Sequence, residues 1–133
     1  MIRKFERWDW DGVAVDQYKD EPGTWVSVTR RCLASSDRMG FEMRYFELGV
    51  GGMTSFERHD HEHAVLVVRG RGRVLLDATW HEVAPFDVVH VPSRTPHRFE
   101  NAGDEPFGIV CTVDRVRDRP ELLDASEVVH APR

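Results

Sequence analysis

A chain of 133 residues with 41% apolar content buries about two-thirds of its unfolded surface on folding, enough for one core and hardly two. Its 18 basic and 23 acidic residues leave a formal charge of -5, and with no lysine or arginine tract gathered on one face a nucleic-acid partner is not expected. No apolar stretch approaches the roughly 18 residues of a membrane span, and Met1-Ile2-Arg3-Lys4-Phe5-Glu6 has no apolar signal-peptide run after its charges, so a cytoplasmic protein without membrane partners is expected.

Residues 1–23, with Trp8, Trp10 and Val13 among charges, read as an arm packed on the main body or on a neighbouring subunit. From there to residue 114 the dominant period is two, carried by β-branched and aromatic residues, and it predicts strands over 25–32, 41–48, 64–69, 74–76, 80–83, 88–91, 97–100 and 107–113. The connectors at 49–52, 70–72, 77–79, 84–87, 92–96 and 101–106 carry glycine, proline, aspartate or asparagine, the residues of turns. Such spacing predicts an all-β sandwich or barrel in a single domain, with its core over about 24–114 and a tail over 115–133. One short helix is a candidate over 120–129, where Pro120 opens a turn and Leu122, Leu123 and Val128 cover an edge. Within 41–48 the alternation offers two faces, Phe41, Met43, Tyr45 and Glu47 or Glu42, Arg44, Phe46 and Leu48, and either could look inward.

Chemistry concentrates at Glu57-Arg58-His59-Asp60-His61-Glu62-His63 and at His97, which follows Pro92 and precedes Asn101. Neutral imidazoles and carboxylates bind divalent transition metals, and four of the seven histidines fall in these two segments. A regular strand advances about 3.3 Å per residue, so the ends of 57–63 lie too far apart for one ion unless the chain bends between His59 and His63. His81, His90 and His130 have no partners in spacing and read as packing or surface residues. Cys32 and Cys111 are isolated thiols without a CxxC pair, read as free, with Cys111 a buried inert thiol in mid-strand. Trp8, Trp10, Trp25 and Trp80 read as packing anchors rather than a substrate box.

These residues resemble the two motifs of the cupin superfamily. The first, G(x)5HxH(x)3-4E(x)6G, is matched in spacing by Gly51, Glu57, His59, His63 and Gly70, with Glu57 at the usual first histidine and His63 at the usual glutamate. The second, G(x)5PxG(x)2H(x)3N, is matched by Pro92, His97 and Asn101, while Phe86 and Arg94 replace both glycines, so the turns there are expected to differ. The resemblance spans about 41–113 and is to the small single-domain, conserved-barrel cupins. It implies a double-stranded β-helix (jelly-roll barrel), a homodimer, and a divalent metal (Fe, Mn, Ni, Co or Zn) held by Glu57, His59, His63 and His97. His61 is the alternative to Glu57, or else a hydrogen-bonding group near the pocket mouth. Four protein ligands on an octahedral ion leave two positions for a small-molecule ligand or substrate. A metal-dependent oxidoreductase of dioxygenase type acting on a small chelating molecule is the first expectation. A metal-dependent isomerase or lyase on a sugar or keto acid is the second, and a non-enzymatic small-molecule binding module the third.

Overall fold

Alternating apolar residues in short β-branched runs can bury one face of a strand by curling the sheet onto itself, and the computed structural model, which describes residues 1–18 and 24–124, does that. All regular structure among the described residues is β. The strands are β1 (Phe5–Glu6), β2 (Asp9–Trp10), β3 (Asp16–Gln17), β4 (Val26–Ala34), β5 (Phe41–Met53), β6 (Glu57–Arg58), β7 (His63–Arg69), β8 (Gly72–Leu76), β9 (Thr79–Val83), β10 (Val88–Val91), β11 (His97–Asn101), β12 (Phe107–Asp114) and β13 (Glu121–Leu122). All eight predicted strands are present.

Every pairing is antiparallel. The long β5 takes β12 on one side and β4 on the other, β12 carries β7, and β7 carries the edge strand β10. Across the barrel β11 pairs with β8, with β6 and with the end of β5. Inward residues then follow period two: Phe46 and Leu48 from β5, Val65 and Val67 from β7, Val89 and Val91 from β10, and Ile109, Cys111 and Val113 from β12 share one core. The choice left open in 41–48 is thereby resolved, because Arg44, Phe46 and Leu48 look inward.

Tyr45 lies on the outward face yet is fully buried, because the N-terminal arm covers it. Trp8 stacks on its ring at 6.1 Å and Trp10 lies at 5.1 Å. The turn joining β1 and β2 has positive φ at both Arg7 and Trp8, the signature of a two-residue hairpin whose twist suits its strands. The arm thus packs on its own barrel.

Three expectations need correction. The described part of the proposed terminal helix is extended: Glu121 and Leu122 form β13 against Arg58 and Glu57, while residues 125–129, and His130 beyond them, lie outside the described residues. Burial of Leu122 does not hold this segment, since Leu122 is exposed; the Glu121 carboxylate does, accepting from Nε and Nη2 of Arg58 at 3.0 Å each and from Arg94 at 2.8 Å. Nor do the turns at Phe86 and Arg94 abandon the glycine conformation, for φ is 74° and 65° there. Asp87 N–H donates to Ala84 at 3.0 Å and Thr95 N–H to Pro92 at 3.2 Å, so each of the two residues sits third in a hydrogen-bonded four-residue turn, where type II geometry demands positive φ.

Candidate metal centre

The ligand segment bends as the distance argument requires. β6 ends at Arg58, residues 59–62 are irregular with a bend at Asp60 and His61, and β7 starts at His63. The bend brings Nε2 of His59 and Nε2 of His63 within 2.9 Å of each other. β11 supplies His97 from the opposite wall, and the ligand atoms of His59, His63 and His97 all lie within 4.8 Å of one another. Glu57 is buried, lines the same cavity and stands opposite His97 in the β6–β11 register.

The protein sets the tautomers. A carbonyl oxygen can only accept, so His59 Nδ1–H donates to the His61 carbonyl at 2.6 Å and His97 Nδ1–H donates to the Thr95 carbonyl at 2.9 Å. Each ring therefore turns a proton-free Nε2 to the interior, the form in which imidazole ligates a metal. His63 Nδ1 lies 3.1 Å from Sγ of Cys111. Burial also keeps the rings neutral: desolvation lowers the pKa of His59, takes His63 well below the usual histidine value and brings His97 to about 4. Cys111 is pushed upward by its own burial, in keeping with the inert thiol expected of it.

His61 stands beside the group of His59, His63 and His97 rather than in it. Its ring stacks on His59 with centroids 3.7 Å apart and planes within 3°. Its Nδ1–H donates to Asp118 Oδ1 at 2.8 Å, and the same carboxylate accepts the backbone N–H of Asp60 at 2.8 Å and of His61 at 3.0 Å. These donors hold the Asp118 carboxyl well below the usual carboxylate range. Asp118 thus pins the bend on which His59 depends. Arg94 N–H adds a 2.8 Å bond to the His59 carbonyl.

The histidines open onto a cavity of about 470 Å³, whose walls include Tyr18, Trp25, Phe46, Val65 and Phe99. Such a volume suits a small molecule. Trp25 is therefore part of the cavity as well as a packing residue, in edge contact with Tyr18 at 4.6 Å. His90 lies at the surface, 2.6 Å from Glu62. Arg44 belongs to one of the two faces that alternation offered, whereas Asp118, Tyr18 and the arginines of 115–119 are the site residues that sequence reasoning missed. The alternation Arg115, Arg117, Arg119 in an otherwise patternless tail was the available signal.

A family model of the cupin domain matches residues 44–113. This chain is a cupin. Over 123 residues, 91% of this cupin and 79% of the relative, it is 39% identical to 1-methylthio-D-xylulose 5-phosphate methylsulfurylase of Rhodospirillum rubrum. It is 30% identical to L-ectoine synthase of Bordetella petrii over 116 residues, 86% of each chain. The crystal structure of a cupin-2 domain protein from Rhodospirillum rubrum superposes with a TM-score of 0.85 at 36% identity, covering 97% of this cupin and 87% of that chain. No helix among its described residues is long and apolar enough to cross a membrane.

Proposed function

We propose that this cupin is a metal-dependent enzyme acting on a small keto sugar, with a divalent ion held by His59, His63, His97 and Glu57. The observation that carries the reading is the convergence of three neutral imidazoles, two with tautomers set by backbone carbonyls, at the wall of the cavity. That donor set fits Fe(II), Mn(II), Co(II), Ni(II) or Zn(II). When bound, such an ion supplies Lewis acidity to a substrate carbonyl or hydroxyl oxygen. The chain's own residues do the rest. Asp118 and His61 keep His59 aimed, Phe99, Val65 and Phe46 exclude water, and Tyr18 with Trp25 present an aromatic wall to the substrate's carbon skeleton.

We favour the keto-sugar reading over dioxygenase chemistry, which would use the same ligands; the ketose phosphate in the name of the Rhodospirillum relative supports it. The decisive experiment supplies the metal-loaded protein with pentulose 5-phosphates, including the 1-methylthio compound, under strict anaerobiosis and follows products by ¹H and ³¹P NMR. Anaerobic turnover that stops on chelation is expected. Turnover only with dioxygen, or protein that retains no metal after purification and loading, overturns the proposal.

A further inference from the structure

Arg44 is an unusual residue for a barrel interior. It sits on β5 opposite Cys111 in the β12 register, is 5% exposed, and lines the cavity. Its guanidinium lies over the Phe46 ring, 4.9 Å from the centroid, so one face is taken up by an aromatic. Buried Nε makes no hydrogen bond among the described residues. Its nearest carboxylate, Glu42, stands 3.9 Å away and already accepts from Arg117 Nη1 at 2.8 Å and from Ser35 at 3.1 Å. Burying a cation with an unused donor is costly unless an anion completes it.

The rim repeats the charge. Residues 115–119 run from the end of β12 across the cavity mouth, and Arg115, Arg117 and Arg119 all line it. Four arginines therefore line the cavity with two carboxylates, Glu57 and Asp118; Arg115 Nε donates to the Met39 carbonyl, Arg117 is paired with Glu42, and Asp118 is committed to His61 and two backbone N–H groups, which leaves Arg44 and Arg119. A divalent ion at the histidines would add to that excess.

We propose that Arg44 and Arg119 form an anion subsite that holds the phosphoryl end of the substrate, leaving its carbonyl end for the imidazoles. The subsite rests on the keto-sugar reading for its substrate, but anion binding itself needs neither metal nor turnover. Planar guanidinium forks suit phosphate oxygens, and one buried donor with one rim donor would grip an end group from two sides.

The test is a titration with glycerol 3-phosphate, acetate and glycerol, read by isothermal calorimetry and by the ¹H–¹⁵N signals of arginine Nε–H, on Zn(II)-loaded and on chelator-treated protein. Glycerol 3-phosphate is expected to move the Arg44 Nε–H signal in both forms, and Arg119→Gln or Arg44→Met to weaken its binding by roughly tenfold or more. Arg71→Gln, an exposed arginine outside the cavity lining, should bind as wild type. If Arg44→Met does not fold, Arg119→Gln and the wild-type Nε–H signal decide the matter. Unchanged affinity in Arg119→Gln, a still Arg44 signal, or acetate or glycerol binding as tightly as the phosphate ester overturns the subsite. Loss of anaerobic turnover with phosphate binding intact would count against the keto-sugar reading alone, whereas turnover with arginine-independent phosphate binding would count against the subsite alone.

Discussion

Replacing Phe86 by glycine should stabilise this protein. Phe86 is third in the turn Ala84-Pro85-Phe86-Asp87 with φ at 74°, a conformation in which Cβ crowds the backbone at a cost of about 1–2 kcal/mol for an L-residue. Glycine avoids that cost but loses about 0.5–1 kcal/mol through its freer unfolded chain. The side chain contributes little in return, being 78% exposed. The net expectation is a gain of roughly 0.5–1 kcal/mol, or ~2–4 °C in Tm for a domain of this size. Urea denaturation of wild type, Phe86→Gly and Phe86→Ala measures it. Alanine removes the ring and keeps Cβ, so it isolates the backbone term: glycine should exceed alanine. If glycine is equal to or less stable than alanine, the turn does not carry the strain assigned to it.

Four further outcomes are expected. Asp118→Ala should weaken metal binding by roughly 10–100-fold while the protein stays folded, as for other groups that orient a ligating histidine; competition against a chromophoric chelator reads this, and affinity equal to wild type would free His59 from its clamp. His59→Ala and His97→Ala should lose metal by elemental analysis, whereas His61→Ala should retain it; loss from His61→Ala but not from Glu57→Ala would make His61 the fourth ligand. In metal-free protein, His97 stays neutral down to about 4 against 6.5 for an ordinary histidine, a difference worth roughly 3 kcal/mol between the protonation states. Between those values the unfolded chain binds more protons, so stability rises with pH and is lost as pH falls from about 6.5 towards 4; urea midpoints at several pH values test this, and a profile that is flat, or unchanged in His97→Gln, rejects it. Gly70→Ala should destabilise the barrel, because φ is 70° there and an added Cβ would collide with the Pro106 carbonyl oxygen; a thermal melt matching wild type would contradict that close approach.

What was legible from sequence was whatever depends on burial. The eight longer strands announce themselves because alternate residues enter one core, and His59, His63 and His97 because their spacing belongs to two motifs. β6 and β13 are two residues each, too short for any period, and are defined by their partners in space, β11 for β6 and β6 for β13. The glycine positions of the second motif show a different limit. Phe86 and Arg94 suggest altered turns by identity, yet the neighbouring Pro85 and the bond from Arg94 N–H to His59 enforce the same backbone. Tertiary context outranks local preference there, at a cost held in two strained residues.

The segment over the cavity mouth was illegible for a physical reason that bears on function. Its residues bury little: Val116 and Leu122 are exposed, so hydrophobic periodicity has nothing to detect. Its hold on the barrel is polar, through Asp118 on the ligand bend, Glu121 on Arg58 and Arg94, and Arg117 on Glu42. An element attached by charge-assisted hydrogen bonds responds to ions at the site in a way that an apolar contact does not. A cation at the histidines and an anion at Arg44 and Arg119 would each act on a group that this segment already touches. Metal and substrate binding are therefore expected to reinforce one another through Asp118, and phosphate-ester affinity should rise on metal loading in wild type but much less in Asp118→Ala. Equal enhancement in both proteins would mean that the two sites communicate only through space.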